Sequence, residues 1–335
     1  MIDARVKFRH LQTFVEVARQ KSVVKAAELL HVTQPAVTKT IRELEEVLGV
    51  AMVEREGRGI KITRYGEVFL RHAGAALTAL KQGLDSVSQE RSGDGPPIRV
   101  GALPTVSTRI MPGAIALFLK ENTGARIKIV TGENAVLLEQ LRVGDLDLVV
   151  GRLAAPDKMT GFSFEHLYSE QVVFAVRSGH PLTSGGRSVF AHLSDYPVLM
   201  PTRASIIRPF VEHFLIANGI AGLPNQIETV SDSFGRAFVR SSDAIWIISA
   251  GVVATDIADG VLAALPVDTS ETRGPVGLTM RTDAIPSLPL SILMQTLREA
   301  AMAAGAKTAA QQSGKVAAPS RRPAGQRRPI SHTEP

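Results

Sequence analysis

The sequence predicts an α/β protein in three structural parts: a mainly α-helical N-terminal winged helix-turn-helix, a long dimerisation helix and a C-terminal two-lobed α/β domain. Three observations predict this class. Residues 22–48 carry the caps and apolar spacing of a helix-turn-helix, and residues 70–87 carry an apolar heptad. From residue 98, short Val/Ile/Leu strands alternate with amphipathic helices. The 335 residues also exceed one typical hydrophobic core.

Breaks in composition and periodicity divide the chain into five predicted segments. They are a winged helix at residues 1–64, a linker and dimerisation helix at 65–91, a hinge at 92–97, the two-lobed domain at 98–304 and a basic tail at 305–335. The tail has too few large apolar residues to offset the entropy of ordering, so we expect it to be disordered.

Charge and composition narrow the classes of function. The net charge is +6, and residues 1–65 carry 12 Lys/Arg against 8 Asp/Glu, which favours a nucleic-acid partner for the basic ends. The absence of cysteine excludes disulfides, iron–sulfur clusters and cysteine-based zinc sites. The charged start lacks the apolar core of a signal peptide, and no apolar run approaches the ~18 residues of a spanning helix. We therefore expect a cytoplasmic protein without a membrane segment.

The first three helices follow from caps and spacing. Ser22 is a good N-cap for a helix that contains Ala26 and Ala27, two small residues that allow close helix crossing. Thr33 can cap the next helix, with Pro35 in its first turn, where no intrahelical donor is lost. This arrangement predicts a helix-turn-helix.

The third helix has two contrasting faces. Its apolar stripe is predicted to face the core and consists of Val37, Ile41, Leu44 and Leu48. The opposite stripe presents amide, hydroxyl and cationic groups from Gln34, Thr38 and Arg42, with Pro35 and Lys39 beside it. Such groups read base edges in the major groove, so the stripe predicts a recognition helix.

A short β-hairpin is predicted over residues 49–64. Gly57 and Gly59 permit a tight tip, and Arg55 and Arg58 decorate it. This hairpin is a wing that could place arginine on phosphates or in a narrow minor groove.

These features together resemble the LysR-type family of transcriptional regulators. The resemblance rests on the gapless pattern Leu11-x-x-Phe14…Ser22-x-x-x-Ala26-Ala27-x-x-Leu30-x-Val32-x-Gln34-Pro35-Ala36-Val37-Thr38-x-x-Ile41-x-x-Leu44-Glu45-x-x-Leu48-Gly49…Arg55…Thr63-x-x-Gly66. It departs from the family at Met52-Val53, where Leu-Phe is usual. The resemblance implies DNA-facing positions at Gln34, Pro35, Ala36, Thr38, Lys39, Arg42, Arg55 and Arg58.

The linker helix carries apolar residues at alternating spacings of three and four. The seam consists of Leu70, Ala73, Leu77, Leu80, Leu84 and Val87. Such a heptad predicts self-pairing, and a symmetric dimer suits an operator with two half-sites. We expect a homodimer, and the family resemblance extends this to a homotetramer.

The C-terminal domain is predicted to have two lobes joined by two crossovers, as in periplasmic solute-binding proteins. Two β-α-β runs, over residues 98–150 and 198–248, each indicate a parallel sheet with helices on its faces. The predicted boundaries are about 98–170 and 275–304 for lobe I, and about 171–274 for lobe II. The family resemblance, which covers residues 5–303, implies the same architecture.

Ligands of such sheets bind outside the carboxyl ends of the strands, at helix N-termini. Reading those ends gives the candidate effector-binding residues Thr105, Ser107, Asn134, Arg152, Thr202, Arg203, Ser231 and Phe234. Arg203 is the first candidate to bind a ligand carboxylate, with Arg152 and Arg109 as alternatives. Each hydroxyl alone reads equally well as a helix cap, and their convergence favours a site. Glu133 opposes a simple anion cleft unless it faces away.

Local strings indicate a group within the family. Residues 1–14, 55–60, 101–106 and 200–205 resemble regulators of protocatechuate degradation in the β-ketoadipate pathway. The resemblance implies activation of aromatic-acid catabolic genes by a small carboxylated effector. Its partners would be double-stranded operator DNA and RNA polymerase. Regulators of sugar uptake or sugar-binding protein genes share much of the pattern and remain an alternative.

Two other classes of protein were weighed. A cytoplasmic small-molecule-binding enzyme is disfavoured because the chain has no dinucleotide, Walker, nucleophile-elbow or H-E-x-x-H motif, and its 8 histidines are scattered. A transport solute-binding protein is disfavoured by the front helix-turn-helix and the lack of a signal peptide. We therefore expect no catalytic residues, no metal and no cofactor.

Overall fold

The computed structural model describes residues 5–57, 59–92, 95–183 and 188–316. The chain begins with a winged helix-turn-helix. Its elements are α1 (Phe8–Gln20), α2 (Val23–Leu29), α3 (Gln34–Leu48), β1 (Val53–Glu56) and β2 (Gly59–Ile62). The two strands pair antiparallel, with Arg55 opposite Ile60. The winged helix-turn-helix predicted from the sequence is confirmed.

The core of this unit is formed where the apolar stripes of α1 and α3 meet. Phe14, Val37, Ile41 and Leu44 are buried there. Leu48, predicted to complete the stripe, is 36% exposed instead. The reason is its place in the last turn, because Gly49 ends the helix in the left-handed conformation.

A long helix, α4 (Arg64–Ser92), leaves the winged unit and reaches lobe I of the C-terminal domain. Phe69 of α4 packs edge-on against Phe14, with the ring centroids 5.6 Å apart. Val143 of lobe I joins the same apolar cluster. The winged unit, α4 and lobe I are thus in direct contact.

Lobe I is built on a five-stranded mixed sheet. Its strands are β3 (Gly95–Ala102), β4 (Ala125–Thr131), β5 (Leu148–Arg152), β6 (Phe162–Glu170) and β12 (Gly274–Arg281), in the spatial order β4-β3-β5-β12-β6. Strand β3 runs parallel to β4 and β5, whereas β12 pairs antiparallel with β5 and β6. The helices of the lobe are α5 (Pro104–Arg109), α6 (Met111–Lys120), α7 (Asn134–Arg142) and α12 (Leu288–Val316).

Lobe II repeats this plan. Its strands are β7 (Val172–Arg177), β8 (Val198–Met200), β9 (Gln226–Glu228), β10 (Ile245–Ser249) and β11 (Leu262–Ala264), in the order β11-β7-β10-β8-β9. Strand β8 runs parallel to β9 and β10, and β7 pairs antiparallel with β10 and β11. The helices are α8 (Val189–His192), α9 (Arg208–Ala217), α10 (Asp232–Ser241) and α11 (Ala250–Ala258).

The chain crosses between the lobes twice, after Glu170 and again before Gly274. The two sheets and the two crossovers confirm the predicted two-lobed α/β fold. Single 3₁₀ turns occupy Pro156–Lys158, Pro181–Thr183, Leu193–Asp195 and Ser270–Thr272.

The last helix corrects one expectation. Helix α12 continues to Val316, past residue 305, where the disordered tail was predicted to begin. The residues from 306 to 316 are mainly Ala, Lys and Gln, which have high helix propensity and extend an existing helix without nucleation. Residues 317–335 of the predicted tail lie outside the described residues, as do residues 93–94 of the predicted hinge.

Candidate DNA-binding surface and ligand cleft

The recognition helix α3 begins as the sequence predicts. Thr33 Oγ1 accepts a hydrogen bond from the Ala36 backbone N–H at 3.4 Å, and the positive φ of His31, 53°, closes the turn before it. The predicted DNA-facing residues of this helix lie on one continuous surface, with all but the half-buried Thr38 exposed: Gln34, Pro35, Ala36, Thr38, Lys39 and Arg42.

These side chains differ in their freedom to bind a partner. The Thr38 hydroxyl donates to the Gln34 carbonyl at 3.1 Å, and Lys39 Nζ lies 4.0 Å from Glu43 Oε1. Arg42 makes no hydrogen bond or ion pair within the described part of the chain. Arg42 is therefore the cation of the stripe with the fewest competing contacts.

Two glutamates that the sequence reasoning missed hold the recognition helix in place. Glu43 accepts a hydrogen bond from Arg9 Nη2 at 2.7 Å and lies 3.3 Å from His10 Nε2, and these hydrogen bonds lower the pKa of the Glu43 carboxyl. Glu45 Oε1 accepts from the backbone N–H groups of Met52 and Val53, at 2.7 and 3.2 Å. The first glutamate ties α3 to α1, and the second ties it to the wing.

The wing is anchored close to the helix-turn-helix. The Ile60 N–H donates to the Lys21 carbonyl at 3.2 Å, and Gly57 turns the hairpin with a φ of 58°. Arg55 is exposed on β1. Arg58, the other predicted wing residue, lies outside the described residues.

The heptad seam of α4 is divided into two halves. Leu70 and Ala73, which we expected in a dimer interface, are buried in the core of their own winged unit at 6% and 2% exposure. This corrects the prediction for those two residues, because a side chain packed in its own core cannot cover a partner. Leu77 is half-buried, whereas Leu80, Leu84 and Val87 are exposed.

A cleft of about 420 Å³ separates the two lobes. It lies at the carboxyl ends of the parallel strands, as expected for this fold. Five of the predicted effector residues line it: Thr105, Ser107, Asn134, Arg152 and Ser231. The other three, Thr202, Arg203 and Phe234, are outside the lining.

Arg152 is the buried cation of the cleft. Its Nη2 donates to the Thr272 carbonyl at 2.6 Å, and its guanidinium carbon lies 4.5 Å from the centroid of the Phe210 ring. Its Nη1 is buried and has no hydrogen-bond partner among the described residues. Burial lowers the pKa of Arg152, and the charge of Glu170 opposes that effect. An unpaired, desolvated N–H is costly, so this group favours an anionic acceptor in the cleft.

The structure places Arg203 in the turn after β8 with an exposed side chain, outside the residues that line the cleft. Phe234 likewise is 43% exposed on α10 and stacks on Phe238, with the ring centroids 5.5 Å apart. Each follows a strand end in the sequence, but neither lines the cleft.

Thr202 instead spans the mouth of the cleft. Its hydroxyl donates to Glu133 Oε1 at 2.9 Å, which joins lobe II to lobe I. Glu133 lines the cleft and does not face away from it, and its carboxylate accepts this hydrogen bond from a hydroxyl. Sequence reasoning could not have found this pairing, because the two residues are far apart in the chain.

The hydroxyls that reach the cleft also serve the fold. Ser231 Oγ accepts from the Phe234 N–H at 3.2 Å as a helix cap, and Ser107 Oγ donates to the Leu103 carbonyl at 3.1 Å. Nearby Asp232 also lines the cleft, and burial raises the pKa of its carboxyl while the charge of Arg236 opposes this. The polar lining is therefore mixed in charge.

A buried ion pair underlies the cleft at the crossover between the lobes. Glu170 accepts from the Thr105 hydroxyl and from Arg109 Nη1, the latter at 2.9 Å. A Cβ on Gly251 of lobe II would lie 2.5 Å from Glu170 Oε1, so only glycine permits this approach. Burial raises the pKa of the Glu170 carboxyl, and its hydrogen bonds and Arg109 oppose that effect. Arg109, an alternative carboxylate ligand in the sequence prediction, is thus committed to Glu170.

Comparison with known protein families identifies the class. Residues 8–67 match the model of the bacterial regulatory helix-turn-helix protein, lysR family, and residues 91–302 match the LysR substrate binding domain. The chain belongs to the LysR family of DNA-binding transcriptional regulators.

The relatives agree with this class. The chain is 75% identical over 301 residues to the HTH-type transcriptional regulator PcaQ of Agrobacterium fabrum, covering 90% of this chain and 97% of that one. It is 31% identical over 299 residues to the regulator YdcI of Escherichia coli, covering 89% and 97%. It is also 29% identical to the regulator GbpR of Azospirillum brasilense, covering 74% and 73%.

Solved structures share the fold at lower identity. Full-length LysG from Corynebacterium glutamicum with bound effector Arg has a TM-score of 0.59 at 19% identity, covering 89% of this chain and 99% of that one. Full-length CbnR in complex with its target DNA has a TM-score of 0.52 at 23% identity, covering 88% and 100%. These likenesses support the arrangement of a winged helix, linker helix and two lobes.

The described residues contain neither a membrane-spanning helix nor a metal-binding cluster. No helix there is long and apolar enough to cross a membrane. No group of three or more His, Cys, Asp or Glu side chains there could hold a metal ion.

Proposed function

We propose that this regulator controls genes for the degradation of aromatic acids, in the protocatechuate branch of the β-ketoadipate pathway, as an activator that responds to a small carboxylated effector. The identity of 75% to PcaQ over nearly the whole chain supports the pathway. It agrees with the resemblance of four local strings to regulators of protocatechuate degradation.

The observation that carries the effector class is the state of Arg152. This guanidinium lines the cleft, is 5% exposed and retains one buried N–H that has no hydrogen-bond partner in the described part of the chain. A ligand carboxylate would supply the missing acceptor as a charge-assisted hydrogen bond. The cleft volume of about 420 Å³ suits a molecule of metabolite size.

The hydroxyl and amide groups around Arg152 would orient such a ligand. Ser107, Asn134 and Ser231 line the cleft from both lobes. A ligand that contacts both lobes favours the closed arrangement, and the contact between lobe I and α4 offers a route from the cleft to the winged unit. We propose that ligand is bound without turnover and that the exposed stripe of α3 reads the operator.

We propose further that the DNA-bound form is a dimer or a dimer of dimers paired through the exposed half of α4. As an activator it would act on RNA polymerase at the promoter. The regulation of sugar-uptake genes has less support, because the 75% identity to PcaQ favours the protocatechuate pathway.

A thermal-shift screen tests the effector class. Full-length protein is heated with carboxylated intermediates of protocatechuate degradation and, separately, with neutral sugars. A carboxylate that binds the native state should raise the melting temperature, because the stabilisation grows with the logarithm of one plus the ratio of its concentration to its Kd. The Arg152→Gln variant should lose that shift. A shift with sugars alone, or an undiminished shift in Arg152→Gln, would overturn the proposal.

A further inference from the structure

A second, smaller cavity of about 90 Å³ lies where the linker helix meets lobe I, and it shares no residue with the ligand cleft. Arginines from three elements dominate its lining: Arg71 of α4, Arg142 at the end of α7 and Arg281 at the end of β12. His72 and Asp283 also line it.

Arg71 has no compensating partner. Its side chain is half-buried, and it makes no hydrogen bond or ion pair within the described ranges. Gly161 allows lobe I to come this close: a Cβ there would lie 3.0 Å from Arg71 Cδ and 4.0 Å from Arg142 Nη1. Two guanidinium side chains from different parts of the molecule therefore converge on one glycine.

The other two arginines are only partly satisfied. Arg281 is 9% exposed, and its Nη1 donates to the Leu141 carbonyl at 2.9 Å. Its Nε is buried without a hydrogen bond and lies 3.4 Å from Asp283 Oδ1. Arg142 donates to the Thr160 carbonyl at 3.0 Å and lies over the Phe162 ring at 4.6 Å, and its Nε lies 3.6 Å from Glu139 Oε2. Arg142 and Arg281 thus each have one carboxylate nearby, whereas Arg71 has none among the described residues.

The charges of the cavity do not balance. Three guanidinium groups line the cavity, and the carboxylates paired with them are Asp283 in the lining and Glu139 beside it, whose side chains are 43% and 42% exposed. Like charges in a partly desolvated space repel one another, and an anion with several oxygen acceptors removes that repulsion while satisfying the unpaired N–H groups. We propose that this junction is a binding site for a small oxyanion of the phosphate or carboxylate type.

Such an anion would strengthen the contact between the DNA-binding part and the effector domain. The junction already contains a close approach, because a Cβ on Gly74 would lie 2.8 Å from the Arg142 carbonyl. Beside it, Arg19 Nη2 of α1 pairs with Asp145 Oδ2 at 2.6 Å. An anion held by Arg71 on one side and by Arg142 and Arg281 on the other adds a bridge across the same contact.

Isothermal titration of the full-length protein with inorganic phosphate, at constant ionic strength in a chloride background, tests the site. Wild type should bind phosphate saturably, and Arg71→Gln should weaken the Kd at least about tenfold, because a charge-assisted pair is lost. Lys120→Gln is the matched control, since it removes an exposed cation of α6 outside the cavity. It should leave the Kd unchanged.

A second variant tests the site independently, in case Arg71→Gln fails to fold. Asp283→Asn removes the one acidic lining residue and should tighten phosphate binding, with the same melting temperature in chloride. Equal Kd values for wild type and Arg71→Gln, weaker binding in Asp283→Asn, or no saturable binding to wild type would each overturn the proposal.

Discussion

Arg42 and Arg152 are the same type of residue in two environments, and each environment suits a different kind of partner. Arg42 is exposed on α3 and engages no described residue, so it can meet a base edge or a phosphate without breaking a contact. Arg152 is buried, with one N–H paired to a carbonyl and another left without a partner. The first arginine suits a macromolecular surface, and the second suits an enclosed ligand.

Replacing Arg42 with Ala should weaken operator binding by about 1–3 kcal/mol if the guanidinium reads a base. The loss should be confined to the specific sequence, because a phosphate contact would weaken binding to every sequence alike. Fluorescence anisotropy with operator and scrambled duplexes measures the difference. An equal loss on both duplexes would contradict base reading.

Replacing Thr202 with Val removes the hydrogen bond to Glu133 that joins the lobes. We expect the closed form to lose about 1 kcal/mol of stability, and the ligand therefore to bind roughly fivefold more weakly. Arg203→Ala is the matched control, because this neighbouring side chain is exposed and outside the cleft lining. Titration of both variants with a ligand from the thermal-shift screen measures the two Kd values. A larger loss in Arg203→Ala would restore the original sequence prediction.

The sequence predicted the cleft residues unevenly, for a physical reason. Strand ends identify which turns face the cleft, and Arg152 and Ser231 were found in this way. Whether a side chain in such a turn points inward depends on the tertiary path, which separated Arg203 from the cleft. The hydrogen-bond partner of a strand-end residue lies at a distant position in the chain, as in the pairs Thr202–Glu133 and Thr105–Glu170. No local sequence pattern predicts which residues pair.

At the scale of elements, two helices join parts of the molecule that are distant in sequence. Helix α4 carries a regular heptad, but the apolar residues of its first half pack in the core of the winged unit. Periodicity predicts that a face is apolar and cannot tell which partner covers it. The antiparallel pairing of β7 and β12 was likewise not predicted, because a β-α-β pattern indicates only parallel pairing.

Helix α12 is tied to β6 by a bidentate pair. Arg298 Nε and Nη2 donate to the two carboxylate oxygens of Glu165 at 2.6 and 2.9 Å. This hydrogen bonding lowers the pKa of Glu165 below its ordinary 4.5. The stabilisation is therefore present above pH 4.5 and is lost as the pH falls through the folded pKa.

Arg298→Gln should reduce the free energy of unfolding at neutral pH by about 0.5 kcal/mol, since both side chains are over a third exposed and solvent screens the pair. The difference from wild type should shrink as the pH falls below 4.5. Urea unfolding across this pH range measures it. A difference that stays constant with pH would mean that the pair contributes through packing and not through charge.

At the scale of the whole molecule, the exposed half of α4 leaves Leu84 and Val87 each 64% exposed. Replacing Leu84 with Glu should shift the protein toward monomer in sedimentation velocity, because a charge would enter the paired seam. Ile285→Glu, at a 92% exposed position, is the control and should stay oligomeric. Leu70→Ala should instead destabilise the winged unit by about 2–5 kcal/mol as a core cavity. An oligomeric Leu84→Glu would contradict pairing through this helix.

A ligand held by Arg152 in the cleft should change how the winged helices bind their operator. DNase I footprinting of wild type and Arg152→Gln on the promoter of the protocatechuate genes, with and without a carboxylated intermediate, tests this coupling. Both proteins should protect the operator without ligand. Ligand should then change the protected region only in wild type. A footprint that ligand leaves unaltered in wild type, or alters equally in Arg152→Gln, would show that the cleft does not control DNA binding through Arg152.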